Sequence, residues 1–238
     1  MTCIVAVKVE QNGAARIVMG GDSAGVSGLD INIRKDPKVF RKGDFVIGFT
    51  TSFRMGQIIR FKFTPPAVPA EMDLYEYMVT HFVDEIRAAL KQGGFAEVSN
   101  GVERGGSFMV ALRDRLFTIQ SDFQVAETHD DFAAIGCGAD YALGALAVLH
   151  QRPISGEEMA RHALEVATHF SGGVRGPFSV LATDGPLPTR DLREAPALAS
   201  LPLPAAPTLV AVPPLSNPPA QEAQANAEAG DNDTVTPS

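Results

Sequence analysis

The sequence predicts an α+β fold, two antiparallel sheets stacked face to face with helix layers outside them, on three observations. Short apolar runs come in pairs around tight-turn residues. Segments of helical periodicity also come in pairs, between the strand runs. The order is strands, two helices, strands, two helices, strand, and a parallel sheet would instead alternate single strands with single helices. Two stacked antiparallel sheets fit this order.

The chain opens with two apolar runs, Cys3–Val7 and Ile17–Met19, around Asn12-Gly13, a pair suited to a hairpin turn. The second run ends at Gly20-Gly21-Asp22, which places a carboxylate at a strand end. Residues 23–29 read as a loop, Ile31-Asn32-Ile33 alternates like a strand, and Pro37 ends it. Lys38–Arg41 and Phe45–Phe49 bracket a Lys42-Gly43-Asp44 turn as a second hairpin. Met55, Ile58, Ile59 and Phe63 have helical spacing, weakened by Gly56 and stopped by Pro65 and Pro66. From Asp73, a residue suited to cap a helix, Leu74, Met78, Phe82, Ile86 and Leu90 step by four. Tyr75, Val79 and Val83 fill the same face, and Gly93-Gly94 stops the helix. Strands return at 107–112 and 116–120, and Phe132–Ile135 runs into Gly136-Cys137-Gly138. A small-residue helix follows over 139–151. Ser155 and Glu158 form a capping box for a further helix that carries Met159, Ala163, Val166 and Phe170 on one face and breaks at Ser171-Gly172-Gly173. A last strand spans 178–182.

Hydrophobic residues at 45% supply a sizeable core, and a net charge of −8 argues against a nucleic-acid binder. Two cysteines cannot build a disulfide framework and suit a reducing compartment. Lys8 and Glu10 interrupt the first apolar run too early for a signal peptide, and residues 142–149 are too few to span a bilayer. A cytoplasmic protein is the expectation, with no membrane or nucleic-acid partner. Composition shifts at Pro186, from which onward lie 11 of the 17 prolines and a charge of −4 from two Arg against six Asp and Glu. Such a segment cannot offset its ordering entropy by burial. The expected division is a folded domain over residues 1–185 and a disordered acidic Pro/Ala-rich tail over 186–238.

Two nucleophiles compete near the start. Gly21-Asp22-Ser23-Ala24-Gly25 fits the G-x-S-x-G elbow, and Gly-Asp-Ser resembles the SGNH (GDSL-type) esterases; both make Ser23 the nucleophile. The elbow should follow several strands and open a helix, yet only 22 residues precede Ser23 and β-leaning residues follow. The esterase also needs an Asp-x-x-His, and the chain has none. The rival is Thr2. Removal of Met1 leaves a threonine whose free α-amine serves as base for its own hydroxyl. Other site signals lead nowhere: Gly136-x-Gly138 has Tyr141 where a dinucleotide fingerprint needs its third glycine, and His129-Asp130-Asp131 suits a solvated loop better than a metal. No cofactor or metal is expected.

The Thr2 start, Gly20-Gly21-Asp22, Lys38-Val39-Phe40, the Ile47-Gly48 strand end, Ala134-Ile135-Gly136-Cys137-Gly138 and Ser171-Gly172-Gly173, taken in this order, resemble the proteasome β-subunit and HslV family of N-terminal-nucleophile (Ntn) hydrolases. The match runs over nearly all of residues 2–183, and Asp22 and Lys38 are 16 positions apart as in that family. The resemblance implies a four-layer αββα sandwich and a threonine-type peptidase acting on peptides or unfolded proteins. It also implies a homo-oligomeric ring or double ring and an ATPase unfoldase as a possible partner. It assigns Thr2 as nucleophile, Lys38 as the charge that lowers the amine's pKa, Asp22 as its anchor, and Gly48 N–H as oxyanion donor. Cys137 and Ser171 flank the terminal amine, and Val46, Gly48 and Thr50 line the substrate site. Two departures stand out. Cys137 occupies a position that is usually serine, and Thr168 one that is aspartate in the proteasome branch. A thiol donates hydrogen bonds weakly and threonine carries no charge. The alternatives are therefore a catalytically silent ring scaffold and the Ser23 esterase.

Overall fold

The computed structural model describes residues 1–183 apart from Asn12 and Asn100; the expected boundary at 185 and the tail lie outside the described residues. Two long strands, β1 (Cys3–Gln11) and β2 (Ala14–Gly21), form the opening hairpin, with Gly13 at φ +77 in its turn. Both run further than the apolar stretches alone suggest, because Val9–Gln11 and Ala14–Arg16 pair to the turn. A short hairpin follows, β3 (Ala24–Ser27) and β4 (Asp30–Ile33), turning at Gly28 with φ +58. This corrects the loop expected at 23–29: Gly25 and Gly28 masked a strand that exists by pairing with β4. β5 (Val39–Lys42) and β6 (Phe45–Phe49) form the next hairpin.

Helix α1 (Phe53–Phe61) is capped by the Ser52 side chain, and α2 (Leu74–Tyr77) by Asp73, which accepts from the N–H groups of Tyr75 and Glu76. α2 continues through a π-helical turn, Met78–Phe82, into α3 (Val83–Gln92). Within that turn Thr80 Oγ1 donates to the Glu76 carbonyl at 2.7 Å, a side-chain bond of the kind that competes with the helix ladder. Tyr75 and Val79 are exposed and Val83 is buried, which corrects the single face expected for all three. Next come β7 (Glu97–Ser99) and β8 (Val102–Arg104), a hairpin too polar to read from the sequence, then β9 (Phe108–Leu112), β10 (Arg115–Ile119) and the equally short β11 (Val125–Glu127). β12 (Phe132–Gly136), α4 (Ala139–Leu149), α5 (Gly156–Phe170) and β13 (Ser179–Ala182) complete the described chain. The capping box at the start of α5 is present. Its buried face is Met159, Ala160, Ala163, Leu164 and Ala167, whereas Val166 and Phe170 are exposed, which corrects the expected face.

Both main sheets are antiparallel, in the orders β12-β1-β2-β13 and β11-β10-β9-β6-β5. Alternation along their strands sorts the core into three clusters. Ile4, Ala6, Ile17 and Met19 of the first sheet meet Val46, Met109, Ala111 and Leu116 of the second. Cys3, Val5, Val7 and Val18 point the other way, onto α4 and α5. Phe45, Ile47, Phe49, Phe108 and Phe117 face away from the first sheet, onto α1 and the α2–α3 helix. Strands buried on both faces explain why their sequences read as continuous apolar runs.

Candidate active site

The site lies where the N-terminus enters β1. Cys3 pairs with Gly136 on β12 and Ile4 with Gly21 on β2, so residue 2 emerges between the two neighbouring strand ends. Gly136 takes φ +100, and a Cβ there would sit 2.2 Å from the Thr2 carbonyl oxygen, so only glycine lets the two backbones approach.

Asp22 and Lys38 meet beside that strand entry. Lys38 Nζ donates to Asp22 Oδ1 at 2.8 Å and to the Ala24 carbonyl at 2.6 Å. The two side chains are 1% and 0% exposed. Asp22 also accepts from Cys3 N–H at 2.9 Å, Ala24 N–H at 2.9 Å and Arg175 N–H at 3.4 Å. One carboxylate thus joins the start of β1, the start of β3, the lysine and the segment after α5. Burial pushes the Lys38 ammonium below its ordinary pKa, and Asp22 pulls it back.

Thr2 is itself buried. Its N–H donates to Cys137 Sγ at 3.3 Å, and Cys137 Sγ lies 3.4 Å from the Thr2 carbonyl and 3.5 Å from Ser171 Oγ. With Met1 attached, Thr2 Oγ1 donates to the Met1 carbonyl at 2.5 Å. Gly173 makes room for Met1, because a Cβ there would lie 2.3 Å from Met1 Cβ and 3.0 Å from Cys137 Sγ. Thus Thr2, Cys137 and Ser171 form one group and Asp22 and Lys38 another, linked through Cys3 N–H. Thr168, at the end of α5, has a buried hydroxyl with no hydrogen-bond partner among the described residues. The Cys3 thiol faces α4 and α5, and burial pushes its pKa up to about 12.

Three sequence-derived residues are placed differently from expectation. Gly48 lies inside the ladder, between Val39 on β5 and Met109 on β9. Phe49 N–H donates to Lys38 on the β5 side and Thr50 N–H to Ser107 on the β9 side, so alternation points Gly48 N–H at β9. It is not the free donor that the resemblance implied. Val46 is completely buried between the sheets and lines no open surface. Thr50 is buried with its N–H in the ladder. The sequence did not single out Thr51, one residue further on, which holds φ +67 without being glycine and whose N–H has no partner among the described residues. Nor did it single out Arg175, whose guanidinium reaches the end of α5. Ser23 Oγ donates to the Pro177 carbonyl at 2.5 Å, and no histidine bonds to it, which leaves the esterase reading without its base.

No family model matches the sequence. Among solved structures, BPH of Thiobacillus denitrificans in complex with epoxomicin is 21% identical, covering 75% of this chain and 97% of that one with a TM-score of 0.61. HslV from Trypanosoma brucei is 20% identical, covering 76% and 98% at 0.55. The Anbu (Gly-1) mutant from Hyphomicrobium sp. strain MC1 is 18% identical, covering 76% and 80% at 0.55. The two antiparallel sheets, the helices packed on them and this likeness together give the chain the fold of the proteasome-like Ntn hydrolases.

Proposed function

We propose that the protein is a threonine-type peptidase that hydrolyses amide bonds in peptides or unfolded proteins with Thr2, once Met1 has been removed. The observation that carries this reading is the Lys38–Asp22 pair, withdrawn from water and bonded through Cys3 N–H to the residue next to Thr2. Burying two charges costs several kcal/mol per ion before their attraction is counted, and apolar side chains would fill the space at least as stably. A pair retained beside an N-terminal hydroxyl makes sense as an electrostatic device.

Loss of Met1 turns the Thr2 nitrogen from an amide into an amine, held near Cys137 Sγ. A free α-amine titrates at about 7.7–8.0, and the Lys38 ammonium lowers it further, so a neutral base is present at neutral pH. The amine takes the Thr2 hydroxyl proton as Oγ1 bonds to the scissile carbonyl carbon. It then returns that proton to the departing amine as the C–N bond breaks, and water hydrolyses the resulting ester. The unpartnered N–H of Thr51, rather than that of Gly48, is the donor we assign to the developing oxyanion.

The finer architecture belongs to the same reading: a four-layer αββα sandwich, supported by the three apolar clusters, assembled into a ring or double ring in the cytoplasm with an ATPase unfoldase as partner. A silent ring scaffold is the second reading, favoured by the orphaned Thr168 hydroxyl and by a weak thiol donor at Cys137. Intact mass followed by exposure to a peptide epoxyketone separates the two. The peptidase lacks Met1 and gains one adduct, and Thr2→Ala abolishes both adduct and hydrolysis. Lys38→Ala lowers kcat/KM by about 10²–10⁴-fold, the range for acid–base groups. Retained Met1, or an intact ring that takes up no epoxyketone, overturns the peptidase reading.

A further inference from the structure

We infer that Arg175 is a positioning residue for this site, a clamp that holds the Ser171 loop against Cys137 and Thr2 and ties it to the Asp22–Lys38 pair. The inference rests on the reading of Thr2 as nucleophile. Helix α5 ends at Phe170, and the carbonyls of its last turn have no partners inside the helix and carry the negative end of its dipole. The Arg175 guanidinium fills that position. The two N–H groups of its Nη1 are shared among the carbonyls of Thr168 at 3.1 Å, Ser171 at 3.0 Å and Val174 at 2.6 Å. The main chain of the same residue faces the other half of the site: its N–H donates to Asp22 Oδ2 at 3.4 Å, and its carbonyl accepts from Ser23 N–H at 2.9 Å.

The loop between needs such a clamp. Gly172 and Gly173 contribute no side chains to fix it, and Gly173 approaches Cys137 and Met1 too closely to carry one. Ser171 Oγ, the loop's polar contact with Cys137, takes Gly173 N–H at 3.4 Å and so follows the loop wherever it moves. Without the guanidinium, three carbonyls lose a charged donor at once, and the loop keeps only Val174 as a buried apolar anchor. Any substitution leaves the backbone bonds to Asp22 and Ser23 available, so side-chain variants test the guanidinium alone.

The test reads the loop in two ways, one of them independent of catalysis. Cys137 is exposed and Cys3 is buried, so iodoacetamide on the native full chain reports Cys137 alone by intact mass. Arg175→Met should speed Cys137 alkylation several-fold. Arg175→Lys, which keeps a cation on a shorter stem, should fall between wild type and Arg175→Met. In protein that hydrolyses peptides, Arg175→Met should lower kcat by between about tenfold and a hundredfold with KM nearly unchanged, the mark of a displaced catalytic group. Should Arg175→Met fail to fold, the comparison of Arg175→Lys with wild type still decides. Unchanged Cys137 alkylation in the folded variants overturns the clamp, whether or not wild type takes up an epoxyketone. Failure of wild type to take up that probe overturns the reading of Thr2 and leaves the thiol measurement standing.

Discussion

Lys38 and Asp22 set the energetics at the residue scale. Each is the other's charged partner, and Asp22 holds three backbone N–H groups besides. Lys38→Met therefore strands a buried carboxylate, and chemical denaturation should register a loss of about 3–5 kcal/mol. Lys38→Met with Asp22→Asn should lose less than the two single changes added together, because the neutral amide keeps acceptor capacity without the unpaired charge. The pH dependence has a definite sign. The folded pKa of Lys38 lies below its unfolded value, so between the two the unfolded chain binds more protons, and this group's contribution to stability rises with pH up to about 10.4. That rise should vanish in Lys38→Met; an unchanged alkaline profile would place the depressed pKa elsewhere.

At the scale of one element, α1 shows propensity and packing in opposition. Gly56 weakens the helix by about 1 kcal/mol relative to alanine. Yet a Cβ at this position would lie 2.2 Å from the Phe49 ring, so the glycine is the seat of that ring against the second sheet. Overpacking a rigid aromatic costs about 1–3 kcal/mol. Packing wins, and Gly56→Ala should lower the thermal midpoint although it improves the helix. A raised midpoint would mean that Phe49 moves aside freely. The same opposition governs α5, whose sequence offers two overlapping apolar stripes; the one rich in alanine lies closest to the first sheet, and Val166 and Phe170 are left outside.

For the whole molecule, the composition of residues 186–238 sets the expectation. A Pro- and Ala-rich acidic stretch has little apolar surface with which to stabilise the domain. Truncation after Gly185 should leave the thermal midpoint within about 2 °C, since a larger shift means roughly 0.5 kcal/mol or more of lost contacts. Light scattering on the same truncated chain should still give a closed oligomer, consistent with the exposed apolar residues Tyr141, Val148 and Phe170 of α4 and α5. A stable monomer at micromolar concentration would remove the ring, and a large loss of stability would move the domain boundary past 185.

Local chemistry was legible in the sequence wherever one segment carried it. Paired apolar runs, the caps at Asp73 and Ser155, the order of elements and the 16-position spacing of Asp22 and Lys38 all follow from near neighbours along the chain. They were enough to point to the stacked antiparallel sheets, whereas the site residues came from the family resemblance those pieces carry when taken in order. What only the tertiary structure decided depends on partners distant in sequence. A two-residue strand period shows that Val46 and Gly48 share a face, but only β5 and β9 on either side determine that the face is core and that Gly48 N–H is committed to the ladder. The hairpin of β3 and β4 exists through pairing that its glycines conceal. Arg175, to the sequence one more cation after a glycine loop, becomes a clamp because the end of α5 and the Asp22 carboxylate converge on it, and such convergence is a property of the folded chain alone.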